Sequence, residues 1–321
     1  MSFNAVIGQE LAVGLLRRAL DQERLAHAYL FLGPEGVGKS LIARIFAEML
    51  NCEGDTARPC GECVSCKKIE GGIHPDVTVL SPEGKSSQIG IDAIRRIGAA
   101  MPLKPYEGRT KVFIIDGADR MTEEAANSLL KTLEEPPKDT VIILIASNMF
   151  KLQPTIVSRC QKVLFHPLSE EAITNELIKR HGLDEKKAVS VSRFSEGRMG
   201  RAIEVLDGEA LAKRDKIVEE FLVPKQFGYE DTWLYGEPRD KINEALNALA
   251  VYFRDLLVFG LAGDERLLVN LDRAADIKRD AAKYPVGRLE AIIGTIADTQ
   301  EQIKRNANVK IALSCMRLNI T

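Results

Sequence analysis

Gly33-Pro-Glu-Gly-Val-Gly-Lys-Ser40 decides the fold of this chain. It fits the phosphate-binding loop pattern G-x-x-x-x-G-K-[ST] at every fixed position. It also stands where that motif must stand, after the apolar run Tyr29-Leu-Phe-Leu32 and before a helix-like segment from Leu41 to Leu50. Gly33, Gly36 and Gly38 let the backbone curl until successive N–H groups point inward at phosphate oxygens. The helix starting near Lys39 adds its positive end. In such a loop, which would hold ATP or ADP, Lys39 reaches the β-phosphate and, in ATP, the γ-phosphate, and Ser40 ligates Mg²⁺. The plain alternative is a glycine-rich strand-to-helix turn with a surface lysine.

Downstream, Ile114-Ile-Asp-Gly117 ends a second apolar strand on a carboxylate, and Asp116 is suited to hold the magnesium directly or through water. The glutamate that often follows, and that positions the attacking water, is here Gly117. The chain is therefore expected to bind nucleotide and to hydrolyse it weakly or not at all. Asp119 and Glu123 are alternative bases, but their offset from Asp116 demands a different backbone path.

Strand candidates are 29–32, 77–80, 111–115, 141–146 and 161–165, with helical patterns at 9–21, 39–51, 90–100 and 122–135 between them. The last of these helices must stop at Pro136-Pro137. Near-continuous apolar strands separated by helices predict an α/β P-loop domain: a parallel five-stranded sheet with helices on both faces. Ligand phosphates then belong at the carboxyl ends of the strands, where Gly33 and Asp116 fall. After Pro167 helical periods dominate, at 169–182, 184–195, 199–222, 238–261, 265–283 and 286–317, with a loop over 223–239. Three domains are expected: 1–167 for the sheet domain, 168–208 for a small helical lid, and 209–321 for a larger all-α domain.

The 321 residues carry 45% hydrophobic and 28% charged residues, an ordinary globular composition. A net charge of -2 supplies no global attraction to DNA or an anionic membrane. There is no run of eighteen apolar residues and Met1-Ser-Phe-Asn-Ala is not a signal peptide, so a cytoplasmic chain is expected.

Four of the six cysteines, Cys52, Cys60, Cys63 and Cys66, crowd one short stretch. In a reducing cytosol four thiolates at this spacing suit a closed tetrahedral Zn²⁺ site of structural type. An iron–sulfur cluster is the sharper alternative, although the C-x-x-x-C-P ending is absent. Free thiols are the remaining one. Cys160 and Cys315 read as buried small apolar residues.

Taken together, several stretches resemble the AAA+ clamp-loader subunits of bacterial DNA polymerase III. They are Val6-Ile-Gly-Gln9, His27-Ala-Tyr-Leu-Phe31, Pro59-Cys-Gly-Glu-Cys-Val-Ser-Cys66, Ile115-Asp-Gly-Ala-Asp119, Asn127-Ser-Leu-Leu-Lys-Thr-Leu-Glu-Glu-Pro-Pro137, Ser158-Arg-Cys160, Tyr252-Phe-Arg-Asp-Leu-Leu257 and Asn306-Ala-Asn-Val-Lys-Ile-Ala-Leu313. They span nearly the whole chain. The gamma/tau motor subunits share the loop, the cysteines and Ser-Arg-Cys, but carry glutamate after the strand aspartate. Gly117 points instead to the delta-prime kind.

The resemblance implies that Arg159 acts as an arginine finger on the nucleotide of a neighbouring motor subunit; by sequence alone it is a surface arginine at a helix end. It implies that Asn148 is a first sensor of the γ-phosphate, where a plain turn explains the residue as well. Within Gly197-Arg-Met-Gly-Arg-Ala202 it makes Arg201 the second sensor, although the motor subunits place their arginine one position earlier. The last domain becomes an oligomerisation collar in a hetero-pentamer with gamma/tau and delta, which loads a sliding clamp on primed DNA. Leu246, Leu249, Tyr252, Phe253, Leu256 and Leu257 recur at helical spacing and read as core rather than interface. The competing classes are a motor or free-standing ATPase and, more remotely, a direct DNA binder using Arg95, Arg96 and Lys104. The charge balance disfavours the last.

Overall fold

The computed structural model describes residues 6–54, 58–82, 88–206, 209–222 and 237–320. Most of the loop expected over 223–239 therefore lies outside the described residues. The chain divides into two compact units, residues 1–172 with 197–200, and residues 173–196 with 201–321.

In the first unit the elements run α1 (Glu10–Asp21), β1 (Ala28–Leu32), α2 (Lys39–Asn51), α3 (Val64–Glu70), β2 (Val77–Leu80), α4 (Ile91–Ala100), β3 (Lys111–Asp116), α5 (Glu123–Glu134), β4 (Thr140–Ala146), α6 (Pro154–Val157) and β5 (Gln161–Leu164). The five strands form one parallel sheet in the order β2-β3-β4-β1-β5. Alternation along the strands explains the layers. Tyr29, Phe31, Val112, Ile114, Ile143 and Ile145 face α1, α2 and α3. Leu30, Phe113, Ile115, Ile142 and Leu144 face α4, α5 and α6. Both faces are covered, which is why β1 and the stretches 112–115 of β3 and 141–146 of β4 are continuously apolar rather than alternating. The Thr122 hydroxyl caps α5 by accepting from the Ala125 N–H, and the helix ends before Pro136. The short α3, inside the cysteine-rich stretch, was not expected from the sequence.

The second unit is helical: most of α7 (Glu170–His181), α8 (Glu185–Ser195), most of α9 (Met199–Leu206), α10 (Glu209–Leu222), α11 (Arg239–Ala262), α12 (Ala274–Ala281), α13 (Val286–Lys304) and α14 (Val309–Ile320). Leu246, Leu249, Tyr252, Phe253 and Leu256 of α11 are buried with Ile292, Ile296 and Leu313 in its core, as their spacing predicts. The 22-residue span Lys241–Ala262 is long and apolar enough to cross a membrane by length and composition, but these same side chains form the centre of a protein core.

The pattern read as one helix over 286–317 is two. Asn306 takes φ +66, and the Asn308 side chain accepts from the Lys310 and Ile311 N–H groups to start α14. Such local side-chain bonds favour a turn over a continued helix. The pattern read over 265–283 likewise shrinks to α12, preceded by short 3₁₀ turns. Helices α7 and α8, expected in a separate lid, fall largely with the C-terminal helices in this unit. A polar network joins them: Ser190 of α8 donates to Asp272 (2.7 Å), and the buried Arg214 of α10 bonds Asp272 (2.6 Å) and Asn270 (2.9 Å).

Candidate nucleotide site and cysteine cluster

The sheet register assembles the first site. Leu32 pairs with Ala146 and Asp116 with Ile145, so the loop after β1, the aspartate ending β3 and the Ser147-Asn148 turn after β4 share one edge. In the loop Gly33, Gly36 and Gly38 have φ of +156, +79 and +99. A Cβ on Gly33 would sit 2.3 Å from the Phe165 carbonyl oxygen, so only glycine allows this strand exit. Gly38 precedes the first residue of α2, aiming the helix's free N–H groups into the loop.

Lys39 is buried, and its ammonium donates to the carbonyls of Gly33 (2.5 Å) and Pro34 (2.6 Å). Burial lowers its pKa, while Asp116, Glu35 and Asp119 pull the other way. The Ser40 hydroxyl donates to Asp116 Oδ2 at 2.5 Å. The two residues expected to share a magnesium ion are thus already in contact.

Gly117 is more than an absent glutamate. Its φ is +84, and an added Cβ would lie 2.9 Å from Pro82 Cγ. The backbone at the position after the aspartate has turned into a conformation that side chains avoid. Asp119, one of the alternative bases, is engaged elsewhere: its Oδ2 accepts from Ser147 N–H (3.3 Å), Ser147 hydroxyl (2.9 Å) and Asn148 N–H (3.0 Å). Asn148 in turn accepts from Phe150 N–H through Oδ1 (2.9 Å). The turn carrying the expected sensor is therefore fixed on both sides.

Sequence reasoning missed two supports of the loop. Buried Gln9 donates to the Val37 carbonyl (3.4 Å) and the His166 carbonyl (2.7 Å) and accepts from His166 N–H, tying the loop to the chain end of β5. Gly200 N–H donates to the Gly36 carbonyl (2.8 Å), and a Cβ on Gly200 would meet Gly36 Cα at 3.0 Å. The repeated Gly-x-x-Gly at 197–200 was the available signal for the second.

Arg159 lies apart from this edge. It stands two residues before β5, at the amino-terminal edge of the sheet, with the length of that strand, about 13 Å, between the two edges. It pairs with Glu134 of α5 at 2.8 Å and donates to the Thr155 carbonyl at 3.0 Å. Cys160 beside it is buried, which raises its thiol pKa to about 12 and leaves it inert. Cys315, expected to be buried, is exposed on α14. Arg201 belongs to the second unit, where it lies 4.8 Å over the Phe194 ring and 3.5 Å from Glu196.

The cysteine cluster sits where α2 ends. Cys52 follows the helix, Cys63 caps α3, and the sulfurs of Cys52, Cys60, Cys63 and Cys66 all lie within 4.8 Å of one another. Four sulfurs at about 2.3 Å from a tetrahedral zinc would be about 3.8 Å apart, so the set fits the ion. Backbone N–H groups of Gly54 and Cys60 point at Cys52 Sγ (both 3.3 Å), that of Cys63 at Cys60 Sγ (3.3 Å) and that of Cys66 at Cys63 Sγ (3.4 Å). Such donors stabilise thiolates. Those of Cys63 and Glu62 bring Cys60 down to about 6, whereas burial pushes Cys66 up. All four positions are protein ligands, so the cluster can brace the fold but has no open place for chemistry.

Residues 8–169 match the family model described as DNA polymerase III, delta subunit. The DNA polymerase III subunit delta' of Bacillus subtilis is 32% identical over 310 residues, a match covering 94% of this chain and 93% of that protein. The B. subtilis subunit tau is 30% identical over 330 residues, covering 94% of this chain and 58% of its own length. Among solved structures, a DNA polymerase III gamma subunit-related protein from Thermotoga maritima superposes with a TM-score of 0.46 at 18% identity, covering 97% of this chain and 98% of that one.

Proposed function

The chain belongs to the delta-prime family of bacterial DNA polymerase III, AAA+ clamp-loader subunits, and from that premise we propose that it is a nucleotide-holding, non-motor member of the assembly. The observation that carries the reading is the pairing of an intact loop, with Ser40 on Asp116, and a left-handed glycine at position 117. Loop amides, Lys39, Ser40 and Asp116 supply what Mg-ATP or Mg-ADP needs for binding. At the next position a water-orienting carboxylate has no room. Binding without efficient turnover follows, since loss of a positioned water removes orders of magnitude in rate while the binding contacts stay.

Arg159 is the residue proposed to act on a neighbour's nucleotide. Its distance from its own loop edge supports action in trans, and its ion pair with Glu134 holds the guanidinium in one orientation until a phosphate competes. Asn148 and Arg201 are proposed as sensors of the bound nucleotide. Residues 168–208 are proposed to work as a lid and 209–321 as the collar that joins gamma/tau and delta in a hetero-pentamer, acting in the cytoplasm on a sliding clamp and primed DNA. The cysteine cluster is proposed to hold structural zinc.

Steady-state ATP turnover by the purified chain, with magnesium, tests the reading. Negligible turnover together with measurable nucleotide binding is the expected result. Robust turnover would return the chain to the motor class. In the reconstituted complex Arg159→Ala should assemble normally and lower the motor's ATPase; an unchanged ATPase would remove the finger.

A further inference from the structure

One charged pair at the loop takes no part in holding the magnesium. Glu35 lies within the phosphate loop itself, and its carboxylate meets the guanidinium of Arg120 at 2.5 Å. A carboxylate here opposes everything else in the loop, where Lys39, the α2 terminus and the glycine amides all favour anions. Arg120 neutralises it.

The main chain of Arg120 is pinned on both sides. Its N–H donates to the Gly117 carbonyl (2.8 Å), and its own carbonyl accepts from Ile89 N–H (3.0 Å). The side chain then runs past Gly117, with Cδ 3.6 Å from where a Cβ on that glycine would stand. The arginine stem thus passes beside Gly117, the residue that follows Asp116. Its planar fork ends on Glu35, inside the loop.

We propose that Arg120 is a γ-phosphate-binding residue of this site, held by Glu35 until a nucleoside triphosphate takes the guanidinium from it. The proposal rests on the nucleotide-binding reading. Phosphate and carboxylate both match the arginine fork in two-bond geometry, so the exchange replaces one charge-assisted pair by another. The freed Glu35, exposed at the loop surface, returns to water. A nucleoside diphosphate lacks the group that competes, and leaves the Arg120–Glu35 pair closed. With arginine at 120 and glycine at 117, a cation binds the terminal phosphate while no water-orienting base stands at 117.

The test measures equilibrium binding of Mg-ATP and Mg-ADP to the full chain and to Arg120→Ala and Glu35→Gln variants, whose side chains are exposed enough to leave the fold intact. Arg120→Ala is expected to weaken Mg-ATP by about tenfold, the weight of one charge-assisted bond, and to change Mg-ADP by less than about twofold. Glu35→Gln, which removes the competing anion, is expected to tighten Mg-ATP by about threefold or more. Unchanged ATP affinity in Arg120→Ala, or an equal loss for both nucleotides, would overturn the proposal and leave nucleotide binding standing. A wild-type chain that binds neither nucleotide would overturn both.

Discussion

Replacing Gly117 by glutamate restores the motor-type residue after Asp116, and the folded backbone predicts that the substitution will not recreate the motor. The left-handed backbone at φ +84 costs a non-glycine residue about 1–2 kcal/mol. The Cβ would also press within 2.9 Å of Pro82 Cγ, an overpacking contact that adds about 1–3 kcal/mol. At a combined cost of about 3 kcal/mol, and about 2–4 °C per kcal/mol for a unit of this size, the first unit should melt roughly 6–12 °C lower. Catalysis should not appear, because the backbone sends the new side chain away from the water position or moves Asp116 with it. Differential scanning calorimetry and steady-state ATP turnover on the same preparation check both statements. A variant with unshifted Tm and turnover raised by about 100-fold or more would refute the argument, since it would mean that the position accepts a working base.

Three further outcomes are expected. Cys60→Ser should lower bound zinc, measured by atomic absorption on protein purified without chelator, from about one ion per chain to near none. Burial works against the charge of Asp280, but bonds from Arg279, Lys283 and Tyr252 outweigh it and hold its pKa at about 2. The stabilisation it brings is full above the ordinary aspartate range near pH 4 and is lost as pH falls toward 2, so Asp280→Asn should cost about 2 kcal/mol at pH 7 in urea unfolding and much less at pH 2.5. Arg214→Ala removes a buried guanidinium that bonds Asp272 and Asn270; because Asp272 is partly exposed and keeps its Ser190 bond, the change should cost about 1–3 kcal/mol, read as a lower urea midpoint with an unchanged m-value.

The sheet was legible because its central strands are buried on both faces, and the run at 141–146 is too short for a helix, rich in β-branched residues and bounded by turn signals, which separates a covered strand from a buried helix. The loop was legible because its glycines are demanded by backbone geometry that the motif encodes directly. Contacts between residues remote in sequence were not. Gln9 resembles any polar residue at a helix start, and its bonds to His166 arise only once β5 lies beside β1. The join between α8 and the C-terminal helices depends on a buried arginine, Arg214, that periodicity assigns to no particular face. The break at Asn306 was missed because apolar residues recur at helical spacing on both sides of it, while a side-chain cap at Asn308 decides the turn. Gly117 was legible as a glycine where the resemblance places a carboxylate, yet its φ and its neighbour Pro82, which make the change hard to reverse, belong to the folded chain alone.

Helix α2 begins at Lys39 and ends one residue before Cys52. Thirteen residues at 1.5 Å each make it a rod of about 20 Å. One end touches the phosphate loop, and the other is fixed to four sulfurs. Tetrahedral thiolate sites accept cobalt(II) in place of zinc, and a paramagnetic ion there would be a spin marker at a known, rigid separation from the nucleotide. No label need be attached to the chain, and every proton near the loop would carry a relaxation rate that reports its distance from that end of the rod.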